Sequence, residues 1–360
     1  MPGGAPGRAP RANYRSPVRK LCGAVLAVTT LVVAGGCSRP DEPARPDPRP
    51  VTIAVAGDTH FEGASASALE PGGLQAIAPV LGAADLAVVN VETAITDRGQ
   101  AAGKKYTFRA PASALGALEA AGVDVAAMAN NHSLDYGRTG LTDTLAAAEA
   151  EGLPVIGLGR DADAAFAPHR ATVDDNRIAV FDATQVLDSS LATAWTATDT
   201  QPGLASVQTA AGRQRLVDAV EAERSRSDSV VVVLHWGRES RDCPTDDQQG
   251  LAAALVAAGA DAVVGSHAHV QLGQGYLESG GRKGFVDYGL GNFVFYAKRG
   301  AAVETGVLEL TLPGTGGVSA ARWRPATIRG GVPVPLEGEA ADEAVRHKES
   351  LRSCTDLAAS

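Results

Sequence analysis

The sequence predicts an α/β fold of two sheets packed face to face with helices outside, and three observations predict it. Short apolar runs alternate with helical stretches over residues 51–158 and again over 229–264, the pattern of parallel strands joined by crossovers. Beyond residue 284 the apolar runs follow one another through glycine-rich turns, with no helix until a charged stretch near the end. The apolar runs also keep stopping on Asp, Asn, Glu or His, and in open α/β sheets strand ends are where reacting groups collect.

Length and composition bound the rest. With 360 residues, 20% charged and 45% hydrophobic, the chain can bury one large core or two smaller ones and is not disordered. Residues 1–36 are a different kind of sequence: Arg8, Arg11, Arg15, Arg19 and Lys20 precede an uncharged run over 21–36 that closes on Ala34-Gly35-Gly36-Cys37. This is an export signal. Small residues just before a cysteine resemble a bacterial lipobox, with Cys37 the lipidated first residue of the mature chain. A plain cleavable signal and an uncleaved anchor are the alternatives, and each places the remainder outside the cytoplasm. Losing five basic residues and no acidic one takes the formal net charge from −9 to −14, so no nucleic-acid partner is implied. Of four cysteines only Cys243 and Cys354 lie outside the export segment; an oxidising compartment permits them to pair, and their spacing does not decide it.

Residues 37–50, mostly proline and charge, read as a stiff, solvated tether. Residues 51–56 open the folded domain as a strand ending on Gly57-Asp58-Thr59-His60. A helix is expected over 74–81, a strand over 85–89 ending on Asn90-Val91-Glu92, a polar excursion over 104–111, a helix over 112–121 and a strand over 123–129. The next turn of the pattern gives a helix at 141–149 and a strand at 154–158. A strand at 176–183 follows, residues 188–208 are too mixed to assign, and 210–224 is a helix with a charged outer face. Residues 229–234 form the most hydrophobic strand and deliver His235. A helix at 246–258 and a strand at 261–264 lead to Gly265-Ser266-His267-Ala268-His269. Strands at 284–286, 293–296, 303–312 and 318–328 and a helix at 340–352 complete one domain, divided as 51–300 with 301–360 finishing it.

Five of the seven histidines lie at these strand ends. Asn130-Asn131-His132-Ser-Leu-Asp135-Tyr136-Gly137 alone is ordinary turn chemistry, and a lone Asp-x-His or His-x-His is commonly accidental. Together with Asp58, His60, Glu92, His235, His267 and His269 it describes a metal-centred site built from several loops, since imidazole, carboxylate and amide oxygen are the ligands a hydrolytic metal pair needs.

The order Gly-Asp-x-His, Asn-x-Glu, Asn-Asn-His, a lone His after an apolar strand, and Gly-x-His-x-His resembles the calcineurin-like metallophosphoesterase superfamily. More narrowly, Asn90-Val91-Glu92, Asn130 to Gly137, His235-Trp236-Gly237-Arg238-Glu239, Gly265 to Val270, Tyr288 to Phe293 and Phe108-Arg109-Ala110-Pro111 are similar to the CapA family of capsule or poly-γ-glutamate synthesis proteins. The resemblance covers about residues 51–296. It implies a four-layer α-β-β-α sandwich of metallo-dependent phosphatase type and an extracytoplasmic, membrane-anchored lipoprotein. It also implies a role in making, exporting or trimming an anionic capsule polymer, beside a membrane synthase or export complex. Two divalent ions (Mn, Fe or Zn) would be held by Asp58, His60, Glu92, Asn131, His235, His267 and His269; His132 would be the general acid, and Arg109 and Asn292 would meet substrate. Arg238 is a further candidate for anion recognition. Glu92 stands where the superfamily has a bridging aspartate, and Ser133 where it has an acid. A generic extracytoplasmic phosphoesterase acting on a phosphorylated substrate, and a non-catalytic polymer-binding scaffold, are the competing readings.

Overall fold

The computed structural model describes residues 45–360, so the expected export segment, Cys37 and residues 38–44 of the tether lie outside the described residues. Strands β1 (Val51–Thr59), β2 (Leu86–Val91), β3 (Val125–Ala127) and β4 (Val155–Ile156) are joined through helices α1 (Ala78–Gly82), α2 (Ser113–Ala120) and α3 (Gly137–Glu151), and pair in parallel in chain order. The chain then enters a second sheet through β5 (His169–Val173) and β6 (Asn176–Thr184), helix α4 (Ala210–Arg224), β7 (Ser229–His235), helix α5 (Asp246–Ala258), β8 (Ala262–Ser266), β9 (Gln274–Ser279) and β10 (Arg282–Asp287). It returns to the first sheet with β11 (Asn292–Val294), β12 (Glu304–Leu312), β13 (Ala320–Arg329) and β14 (Val332–Pro335), and ends in helix α6 (Gly338–Ser350). The first sheet runs β14-β13-β12-β1-β2-β3-β4, with β11 also pairing β1; the second runs β9-β10-β8-β7-β6-β5.

Alternation along β1 shows why the sheets stack. Val51, Ile53 and Val55 point into the cleft between sheets, with Val88 and Leu310, and meet Val180, Val231, Val233 and Val264 of the second sheet. Ala54 and Ala56 point the other way, against Leu81, Leu115, Leu118 and Leu141 of the helices. On the far face of the second sheet, Phe181, Val230, Val232 and Val263 meet Leu216, Val220, Leu251 and Leu255 of α4 and α5. The result is the expected α-β-β-α sandwich. Each of the Val, Ile, Leu and Phe side chains among these stabilises it by about 1.5–3 kcal/mol on burial, before the cost of ordering the chain. Helix ends are set locally: Thr209 caps α4 through Gly212 N–H, Thr245 and Gln248 form a reciprocal capping box on α5, and Gly259 ends α5 in the left-handed conformation.

Several elements differ from the sequence reading. The helix expected at 74–81 is confined to α1, because Pro71-Gly72-Gly73 spends the preceding residues in turns. The strand expected at 154–158 breaks at Gly157 (φ +82°) into β4 and a short piece, Leu158–Gly159, that pairs with Gly203–Leu204. Strands β5 and β9 carry mixed polar sequences, so no apolar run announces them; antiparallel pairing to β6 and β10 makes them strands.

From Pro46 to Ser360 the chain is one compact unit. The end of the expected tether is held to it, with Arg49 donating to Asp174 through its backbone and its guanidinium. Cys243 and Cys354 form a disulfide across 111 residues, tying the loop after β7 to the segment after α6. Lys348 of α6 is fully buried, with Nζ 2.9 Å from Asp287 and donating to the carbonyls of Leu272 and Gly289.

Candidate metal centre

The parallel strands β1, β2, β3, β7 and β8 end on the same side of the sandwich, and their last residues and following loops supply the site. Asp58 closes β1, where Gly57 lets the backbone approach Gly291 so closely that a Cβ would lie 2.0 Å from its carbonyl oxygen. Asp58 N–H donates to that carbonyl. Asp58 Oδ1 accepts from Asn90 Nδ2 at 2.8 Å, and its carboxylate also accepts the backbone N–H of His267 at 3.1 and 3.2 Å. His267 and His269 follow β8 with φ of +91° and +58°, conformations that cost an L-residue energy and that fit a loop shaped for its side chains.

Two groups of side chains converge and share Glu92. Ligand atoms of Glu92, His235 and His267 lie within 4.8 Å of one another, and so do those of Asp58, Glu92 and His269. Asn131 joins the first group: His235 Nε2 is 2.7 Å from Asn131 Oδ1, 3.1 Å from His267 Nδ1 and 3.4 Å from Glu92 Oε1. In the second, His269 Nδ1 is 3.1 Å from Asp58 Oδ2. The donor chemistry fits divalent cations, and one observation makes the fit specific. Glu92 is fully buried, yet neither of its oxygens has a hydrogen-bond partner. A buried ionised carboxylate without donors is costly unless a cation sits against it.

Protonation agrees with ligand roles. Burial, reinforced by His235 and His269, holds His267 down at about 3, so its imidazole is neutral. Burial works to raise Glu92, but His269, His235 and His132 outweigh it and keep the carboxylate ionised. Burial opposes charge on His269 as well; Glu92 and Asp58 prevail and lift its pKa to about 10, so a bound ion would displace that proton.

His132 stands beside the ligands. Its Nδ1 is 2.7 Å from Asp135 Oδ2, which orients the ring, and its Nε2 is 3.9 Å from Glu92 Oε1. Asp135 is fully buried and held by Phe108 N–H at 2.6 Å and by Lys104 Nζ at 2.8 Å. Lys104 Nζ also donates to the backbone oxygen of Asn131.

One expected role is corrected, and one expected ligand stands apart. His60 joins neither ligand group; Glu62 N–H and Ser65 Oγ lie 3.0 and 3.2 Å from its Nδ1, and its buried Nε2 has no hydrogen-bond partner. Burial keeps His60 neutral by pulling its pKa to about 3. Asn292 is buried and spent within the protein rather than open to substrate, its Oδ1 2.9 Å from His269 Nδ1 and its Nδ2 donating to the carbonyls of His269 and Ala302. Arg109 is exposed, with its guanidinium 5.0 Å from the Tyr136 ring centroid; Arg238 is exposed on the loop after His235. The sequence reading assigned no role to Lys104, Phe108 or Asp135. Asp135 lies three residues after His132, a spacing that could have flagged it, whereas nothing local marks Lys104 and Phe108.

Comparison with known proteins shows the family. The chain is 34% identical over 196 residues to the capsule biosynthesis protein CapA of Bacillus anthracis, covering 54% of this chain and 46% of that protein. It is 30% identical over 228 residues to the PGA biosynthesis protein CapA of Bacillus subtilis, covering 61% and 56%. It thus spans about half the length of the curated relatives it matches. Among solved structures, a phosphatase from Mycoplasma pneumoniae aligns with a TM-score of 0.49 at 13% identity, over 82% of this chain and 97% of that one. A profile of the family described as bacterial capsule synthesis protein PGA_cap matches residues 52–297, well over half of the chain and every ligand of both groups, and the chain belongs to that family.

Proposed function

We propose that this chain is an extracytoplasmic lipoprotein whose metal centre cleaves a bond in an anionic capsule polymer of the poly-γ-glutamate kind, passing the released group to water or to another acceptor. The observation that carries the reading is the pair of ligand groups meeting at Glu92, a carboxylate with no donor of its own. Asp58, Glu92 and His269 would hold one ion, and Glu92, Asn131, His235 and His267 the other. Two divalent ions (Mn, Fe or Zn) would supply Lewis acidity and a water acidic enough to react near neutral pH. The chain's own contribution beyond holding them lies in His132: Asp135 keeps its ring turned so that Nε2 is the atom from which a leaving group would take a proton. Arg109, exposed one residue from Phe108, would meet a negatively charged chain arriving from solvent. The polymer is suggested by the names of the Bacillus relatives, and a membrane synthase or exporter would be the partner.

Metal analysis tests the centre. Purified protein loaded with Mn(II) or Zn(II) should hold about two ions per chain. His267→Ala should lose at least half of the bound metal together with any cleavage of poly-γ-glutamate or of a chromogenic phosphodiester, while His132→Ala should retain the metal and lose turnover. A protein that takes up no metal under any loading condition yet supports polymer synthesis would be a scaffold. Anchoring is tested separately by intact mass: the mature chain should begin at a diacylated Cys37, and Cys37→Ser should be released from membranes or left unprocessed. A soluble mature chain starting elsewhere would remove the anchor from the proposal.

A further inference from the structure

Phe108 has three contacts that converge on His132. Its ring lies between the imidazoles of His60 and His132 and nearly parallel to both, with centroids 4.4 Å apart at 16° on one side and 4.2 Å apart at 24° on the other. Its backbone N–H donates to Asp135 Oδ2, the same oxygen that lies against His132 Nδ1. Phe295 and Tyr296 close on His60 edge-on, with ring centroids 4.2 and 4.5 Å away, so aromatic rings wall that side of the stack. The Phe108 ring itself is buried.

The stack matters because of where His132 stands. It follows the ligand Asn131 directly, and its Nε2 is already 3.9 Å from Glu92 Oε1. An imidazole that close, freed to tilt, would close on the carboxylate and be lost as a proton carrier. A flat ring pressed face to face against it opposes tilting in a way that a branched aliphatic chain of similar volume does not, because aromatic faces prefer offset, near-parallel contact.

We infer that Phe108 is a positioning residue for His132: its ring sets the imidazole plane, and its amide holds the carboxylate that sets the imidazole rotation. The functional weight of this rests on the proposed role of His132, but the positioning itself concerns contacts that need no ion. A substitution at Phe108 leaves the amide in place and so isolates the ring.

Proton NMR of the chelator-treated full chain tests it. The Nδ1 proton of His132, shared with Asp135, should resonate well downfield of the amide region and be identified by its loss in His132→Gln. In Phe108→Leu this resonance should broaden away or exchange with water at least tenfold faster, while the indole signals of the three tryptophans keep their positions as a check on folding. Phe108→Met, a flexible chain of similar bulk, is the second variant should the first not fold. The resonance persisting at its original position and exchange rate in the folded variant would overturn the inference. Metal content measured in parallel separates the two ideas. A wild-type chain that binds no ion would refute the metal centre, and the resonance would still decide the role of Phe108.

Discussion

Asp182 shows how a single residue far from any ligand supports the site. It sits in β6 of the second sheet, and its Oδ2 accepts the backbone N–H of Ala129 at 2.6 Å, across to the first sheet and two residues before Asn131. Gly157 must be glycine for this contact, since a Cβ there would lie 2.3 Å from that oxygen. Burial pushes the Asp182 carboxyl well above the usual carboxylate range, so it is protonated in the folded state at pH values where an unfolded aspartate, near 3.9, is ionised. Folding therefore takes up a proton at any pH between those two values, and stability falls as pH rises through that window. Asp182→Asn should remove this term: the urea midpoint at pH 8 minus that at pH 5, measured in chelator, should be more positive in the variant than in wild type. Equal differences would mean that Asp182 does not titrate as its burial demands.

At the scale of elements, α6 is docked through a buried charge beside the packing of Val345 against the core. Its outer surface is polar and its one fully buried side chain is Lys348, which meets Asp287 and the carbonyls of Leu272 and Gly289. Burial lowers the pKa of Lys348 and raises that of Asp287, and each group partly restores the other's charge. These carbonyls belong to the loops that carry His269 and Asn292, so the helix braces the back of the site. Removing one partner of a buried pair strands the other. Lys348→Met is expected to cost about 3–5 kcal/mol in urea unfolding, and adding Asp287→Asn should recover part of that loss. A double variant no more stable than the single one would show that the carbonyl contacts, and not the ion pair, dominate.

For the whole molecule, the segment after the family match completes the core. β12 pairs with β1 along its length, from Val51 opposite Leu312 to Ala56 opposite Val307, and Leu308, Leu310 and Leu312 fill the space between sheets. A chain cut after residue 300 would leave β1 with a bare edge on that side and an apolar cleft open to water. It should be recovered as aggregate, or show no cooperative unfolding by circular dichroism. A soluble, cooperatively folded fragment would place the domain boundary near residue 300.

The four-layer fold and most of the side chains that converge at the candidate metal centre are legible in the sequence, because both are written in local pattern. Apolar runs stopping on ligand-type residues are legible one strand at a time, and Asp58, Glu92, Asn131, His235, His267 and His269 all announced themselves that way. The tertiary structure decided what depends on partners distant in the chain. The surroundings of His60 come from a loop amide and Ser65, Asn292 is turned inward by His269 and Ala302, and Cys243 meets Cys354 across 111 residues of chain. Lys104 and Phe108 reach Asp135 from a stretch without periodicity. A ligand's identity is carried by its own side chain, whereas hydrogen-bond direction, tautomer and ring orientation belong to the neighbour, and the neighbour is known only when the chain has folded.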